Sequence, residues 1–298
     1  MIMTEKTYYN FPLVGTLLVY LTELYLYLIN FISGSFFVGV LLSMIILSLM
    51  YLLITIKLVI PKSPFIFSVI FSVIISIYEM PLILVDNYQY LVTIPTAPEE
   101  LIKGSGILIL SIQTLQVATT GSVENEQSVR ESYINSHTRF FDIVQVKNHM
   151  RYSSKNKYIL EALGLSHNEF EQMSENVAVN IKKSNNSIDE FLARDDSSGS
   201  SAGLALVLSS FSEQGLFQNY RLIGVTGAIN KTGKVTEVGG IEEKIQIANE
   251  NGFSYVILPY ANLSEAKEVK KTLNLPIKIV GVRDVDEAIR FIKELNKN

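Results

Sequence analysis

The first third of this chain carries almost no charge, and that restricts its fold more than anything else in the sequence. Three apolar runs, roughly residues 11–31, 36–60 and 64–85, follow one another before the first soluble-looking stretch. A helix needs about 20 apolar residues to cross the hydrocarbon core of a bilayer, and each run is long enough. Glu23 falls inside the first run and there needs a partner or a route to the membrane surface. The "SGS" that follows is a plausible tight turn. Three long runs in succession do not read as a cleavable signal peptide. Lys6 precedes the first run, no cation lies between the first and second, and Lys57 and Lys62 flank the junction of the second and third. The positive-inside bias then places the N-terminus and the Lys62 loop in the cytoplasm, and everything after Asp86 outside it. The reading is a multi-pass cell-membrane anchor in the lipid bilayer; if the first run only lies in the interface, the topology flips.

Beyond Asp86 the composition is that of a soluble domain. A net charge of −4 with no basic stripe argues against a nucleic-acid partner. Cysteine is absent, which excludes disulfides, thiol nucleophiles and zinc–thiolate sites. "YQYLVTI" (88–94) and "GILILSI" (106–112) read as strands. Residues 125–163 are polar and helix-friendly, "SSKNKYILEALGL" is a helix closed near Gly164, and "VAVNIKKS" is a candidate strand. From "LALVLSSF" onward, helical and strand patterns alternate. A hairpin brackets Asn230–Gly233, a helix stops at Gly252, and "FSYVILP" and "IKIVGV" are strands separated and followed by helices. Such alternation implies a parallel or mixed α/β sheet.

Two residues in this half carry the signs of chemistry. Ser201, in "DDSSGSSAGLALVLSSF", stands just before an apolar helix, between Gly199-Ser200 and Ala202-Gly203. Free N–H groups at a helix start can hold a developing oxyanion. Taken alone, capping is the commoner use of such a serine. A nucleophilic serine needs a base. His137, His149 and His167 all precede it in polar helical sequence without a motif and read as surface residues, which leaves lysine. In "GGIEEKIQIANENG", Ile241, Ile245 and Ala248 form an apolar helical stripe, and Lys244 leaves from the same face. Burial disfavours the ammonium form, and a lysine lowered to about 7–8 serves as a general base near neutral pH. Alternatively Lys244 snorkels to solvent from the edge of the stripe.

In their order along the chain, "GSSAG", "TGAI", "GKVTEVGGIEEK" and "ILPYAN" resemble the proteolytic domain of the Lon family. That family pairs a serine in a Gly-Pro-Ser-Ala-Gly loop with a lysine in a Gly-Gly-hydrophobic-x-x-Lys helix. The resemblance implies Ser201 as nucleophile, Lys244 as general base and Thr226 as a residue that helps position the lysine. Gly199, Ser200, Ala202 and Gly203 match the nucleophile loop, Gly239 and Gly240 the paired glycines, and Pro259 and Asn262 the motif closing the next strand. The family's spacing from serine to threonine and to lysine is kept without a gap. The resemblance covers residues 190–298. Over the rest, "YLVTI" and "HMRYSSKNKYILEALG" are similar to the juxtamembrane segments of the membrane-anchored Lon-like proteases of Gram-positive bacteria.

This chain departs from those proteins in three ways. Ser200 stands where the family has proline, leaving the loop looser and putting a second hydroxyl beside the first. Too few residues separate Gly164 from Asp195 for the PDZ module those proteins usually carry, and three apolar runs replace their usual single span. Asp195 and Asp196 lie where related proteins often carry an acid, and read equally as solvated loop residues. No Gly-x-x-x-x-Gly-Lys-Ser/Thr phosphate loop occurs, so neither a nucleotide partner nor the Lon ATPase is expected. No metal or other cofactor is expected either.

The expected architecture is an all-α transmembrane anchor (1–87), juxtamembrane strands and helices (88–190) and a Lon-type α/β proteolytic domain with a mixed sheet and flanking helices (191–298). The expected function is ATP-independent serine endopeptidase action on peptides or exposed protein segments. The alternative is an inactive scaffold that binds peptides or partner proteins. Assembly into homo-oligomers is implied by the resemblance alone.

Overall fold

The computed structural model describes residues 5–54, 63–118, 125–181, 185–194 and 197–297. Lys57, Lys62, Asp195 and Asp196 lie outside them. The chain divides into two compact units: residues 1–92, 116–132 and 143–163, and residues 93–115, 133–142 and 164–298.

The first unit opens with helices α1 (Glu5–Leu28), α2 (Gly34–Ile54), α3 (Ser63–Glu79) and the short α4 (Leu82–Val85). Two stretches, Gly34–Ile54 and Ser63–Val85, are long and apolar enough to cross a membrane; the apolar part of α1, Pro12–Leu28, is shorter. On α3 the buried face is a ladder of small polar residues, Ser68, Ser72 and Ser76, ending at Glu79. Small side chains let helices approach closely where no water drives them together. Thr16 and Ser68 share a hydroxyl hydrogen bond of 2.6 Å, and Tyr27 stacks on Phe37 at 5.8 Å. One carboxylate oxygen of Glu23 is buried with no hydrogen-bond partner among the described residues.

The chain continues through β1 (Tyr88–Pro95), β2 (Ile107–Ile109), β3 (Ile112–Ala118), α5 (Glu126–Asn135) and β4 (Asp142–Gln145). Strands β3, β1 and β4, in that order, make a three-stranded sheet. The helix expected over "SSKNKYILEALGL" breaks at Asn156 into α6 (Asn148–Lys155) and α7 (Lys157–Ala162), and Gly164 follows in the left-handed region, φ +69°. Glu79 is fully buried. It pairs with Lys155 Nζ at 2.5 Å and accepts hydrogen bonds from Tyr20 at 2.9 Å and Tyr152 at 3.1 Å.

The second unit adds α8 (Glu169–Asn180), α9 (Asn186–Leu192), α10 (Gly203–Glu213), β5 (Ile223–Val225), β6 (Ala228–Ile229), β7 (Val235–Thr236), α11 (Ile241–Glu250), β8 (Tyr255–Pro259), α12 (Leu263–Thr272), β9 (Lys278–Val282) and α13 (Val285–Leu295). One expectation fails here: residues 177–181 of "VAVNIKKS" are not a strand, while Lys182, Lys183 and Ser184 lie outside the described residues. Residues up to Asn180 are the last turns of α8, Val177 is buried while Val179 is 60% exposed, and Ile181 leaves the helix. Met173 and Val177, four apart, set a helical period that the local V-A-V alternation hides. Asn168 caps the start by accepting from Glu171 N–H.

The central sheet runs β2-β5-β8-β9, every pairing parallel. A parallel sheet is covered on both faces, so its strands are continuously apolar. Ile107, Ile109, Ile223, Val225 and Ile257 point to one core with α8, α10 and α13; Leu110, Val256 and Leu258 point to the other with α11 and α12. β6 and β7 form the expected antiparallel hairpin.

Candidate active site

The Ser201 turn is fastened to the end of β5 by backbone bonds. Gly227 N–H donates to Ser201 O at 2.7 Å, and Leu204 N–H donates to Gly227 O at 2.9 Å. Thr226, buried beside them, donates from its hydroxyl to Ser201 O at 3.4 Å, and its N–H reaches Ile257 O on β8. Gly203 is the first residue of α10, where a Cβ would meet Ile229 Cγ1 at 3.2 Å and Met173 Cγ at 3.3 Å. The N-cap position falls on Ala202 and no side chain caps the helix, so Ser201 is not spent as a cap. Gly199 sits at φ +80°, a conformation that favours glycine.

Lys244 lies one turn into α11. The apolar stripe that carries it is packed into the second core, and Lys244 is 3% exposed rather than snorkelled. Nζ donates to Gly239 O at 2.7 Å. Burial pushes the ammonium down from the usual lysine value to about 8, with the Glu243 charge pulling the other way. The loop that presents Gly239 is pinned by Asn262. Its amide accepts from Val238 N–H at 3.0 Å and donates to Val238 O at 3.1 Å.

Ser201 and Lys244 line one cavity of about 1000 Å³, with Gly199, Ser200, Ala202, Gly239 and Gly240. Thr226 and Gly203 stand behind this wall. No hydrogen bond between the Ser201 and Lys244 side chains is present among those of the described residues; the lysine is turned to Gly239. The three histidines are exposed, and none of them lines the cavity. Other walls escaped the sequence reading: Thr96, Glu99 and Ile112 from the β1–β3 region, Glu169 and Phe170 from α8, and Phe191 and Arg194 at the end of α9. No local motif marks them; the tertiary fold brings them in from distant parts of the chain.

Residues 193–294 match the Lon protease (S16) C-terminal proteolytic domain. That stretch contains Ser201, Thr226 and Lys244, and the mixed α/β unit around it is consistent with such a domain. Among curated relatives, the Lon protease of Trichlorobacter lovleyi is 32% identical over 96 residues, which is 32% of this chain and 12% of that protein. Those of Neorickettsia sennetsu and Roseiflexus castenholzii are 31% identical over 93 residues and 33% over 91, each covering 11% of the relative. The chain thus spans about an eighth of the length of the Lon proteases it matches. The shared part is their proteolytic domain, and it supports a serine protease.

Proposed function

We propose that this protein is a membrane-anchored, ATP-independent serine endopeptidase in which Ser201 attacks and Lys244 is the base. The observation that carries this reading is the Lys244 amine, buried at the wall of the cavity that Ser201 also lines, with its pKa at about 8. A neutral lysine amine donates to Gly239 O while its lone pair stays available for the Ser201 proton. As the proton transfers, Ser201 Oγ bonds to the peptide carbonyl carbon. Backbone N–H groups of the Gly199–Ser201 turn hold the resulting oxyanion. The Lys244 ammonium then protonates the departing amine, and water, deprotonated by the regenerated base, releases the acyl group. Thr226 supports the arrangement from behind by holding the Ser201 carbonyl.

The anchor is supported by two long apolar stretches that turn large side chains outward: Leu53 is 68% exposed, Phe67 63% and Ile77 67%. Such surfaces suit lipid rather than water. The three-span, cytoplasmic-N-terminus arrangement rests on the lysine distribution. Action without ATP on peptides and exposed segments is part of this proposal.

Ser201→Ala and Lys244→Gln should each abolish cleavage of a peptide library by the purified protein. Retained cleavage in either variant overturns the pair. The absence of a Ser201–Lys244 hydrogen bond favours the second reading, an inactive peptide-binding scaffold. Labelling of Ser201 by a fluorophosphonate supports the enzyme over the scaffold.

A further inference from the structure

The charges that line the cavity are unevenly matched. Glu99 is neutralised by Arg194, whose two terminal nitrogens reach the two carboxylate oxygens at 2.7 and 2.5 Å while its guanidinium lies 4.5 Å from the Phe191 ring centroid. Lys244 is buried and turned to a backbone carbonyl. Glu169 and Glu237 are left. Both are exposed to the cavity, and neither has an ion pair or hydrogen bond of its side chain among the described residues. Glu169 Oε2 lies 3.9 Å from where a Cβ would stand on Gly199, beside the serine turn. Glu237 precedes the Val238–Gly239 loop that receives Lys244. No group of three His, Asp or Glu side chains placed to hold a metal ion occurs among the described residues.

Among the largely polar walls of the cavity are apolar side chains, Ile112 and Phe170, the latter next to Glu169 in the chain and packed on Phe191 with ring centroids 6.2 Å apart. An apolar surface with carboxylates at its edge complements a side chain that has a hydrocarbon stem and a cationic head. We propose that the cleft selects polypeptide segments with lysine or arginine beside the bond presented to Ser201, the stem lying on the Phe170–Phe191 side and the head received by Glu169 and Glu237. An acidic residue at that place meets two unpaired carboxylates and is rejected. This rests on reading the cavity as the peptidase cleft, and it names the substrate class.

The test uses the full chain in detergent carrying Ser201→Ala, so that bound peptide is not consumed. Fluorescence anisotropy follows three labelled peptides that differ only in a central lysine, leucine or glutamate. The lysine peptide should bind at least about tenfold more tightly than the glutamate peptide, and the gap should narrow with salt. It should collapse when Glu169→Gln and Glu237→Gln are added, exposed and nearly isosteric changes that leave the core untouched, and it should invert with Glu169→Lys. Equal binding of the three peptides, no binding of any, or a lysine preference that survives the double glutamine variant overturns the inference. Cleavage by the unsubstituted chain is read separately. Lysine-selective binding without turnover sinks the peptidase reading and keeps the charge selection; turnover indifferent to charge does the reverse.

Discussion

Lys244 is a lysine buried to 3% exposure, and its protonation bears on rate and stability together. Its pKa is about 8 in the folded protein against 10.5 for an ordinary lysine. If the neutral amine is the base, kcat/KM rises through about pH 8 and levels above it; a flat profile there removes Lys244 from the chemistry. The stability effect has a definite sign. Between pH 8 and 10.5 the unfolded chain holds a proton that the folded chain does not, so stability increases as pH climbs through that window, and the cost of burying the charge is fully present below pH 8. Lys244→Met should therefore be inactive yet more stable at pH 7 by roughly 3 kcal/mol, and should lose the alkaline rise, as read by urea unfolding across that range. Asn262 acts on the same lysine through Val238 and Gly239. Asn262→Ala should cost about 1–3 kcal/mol in thermal unfolding and move the midpoint of the pH–rate profile, whereas a purely structural role would leave that midpoint in place.

At the scale of single elements, α11 shows what a glycine pair does at a helix start. Gly240 is the N-cap in the left-handed region at φ +69°, and a Cβ there would stand 2.6 Å from Ile112 Cδ1 on β3. Gly240→Ala should lower the melting temperature and the activity, and Ile112→Ala in the same chain should restore part of both by relieving the contact while leaving the strained φ. The paired glycines were visible in the sequence; the neighbour that makes the second one necessary was not, because it comes from β3, a distant part of the chain that packs on the same core as α11. The same contrast holds for secondary structure. β8, β9 and the helices between and after them were readable, since apolar runs bounded by glycine and polar turns have one favoured outcome. The C-terminal turns of α8 were misread as a strand because four alternating residues fit both periods, and only the packing of Met173 and Val177 against α10 decides between them.

On the scale of the whole molecule, the first unit holds the ion pair of Glu79, fully buried, and Lys155, whose side chain is 5% exposed. Removing one partner leaves an uncompensated buried charge. Glu79→Leu or Lys155→Met alone should cost about 3–5 kcal/mol of unfolding free energy in detergent, while the double apolar replacement should come back close to the parent. If the anchor reading holds, the chain should stay in the membrane fraction through an alkaline carbonate wash; release by that wash counts against spanning helices.

The sequence by itself determined the apolar first third, the strand–helix alternation of the last hundred residues, and the ordered motifs that mark Ser201, Thr226 and Lys244. These follow from local composition and spacing, which act between neighbours in the chain. Tertiary structure alone decided that Lys244 is buried at the wall that Ser201 shares, that its amine rests on Gly239, and that Glu169, Glu237 and the Glu99–Arg194 pair set the charge around them. Desolvation and charge pairing depend on which distant residues are brought together, and no local pattern encodes that.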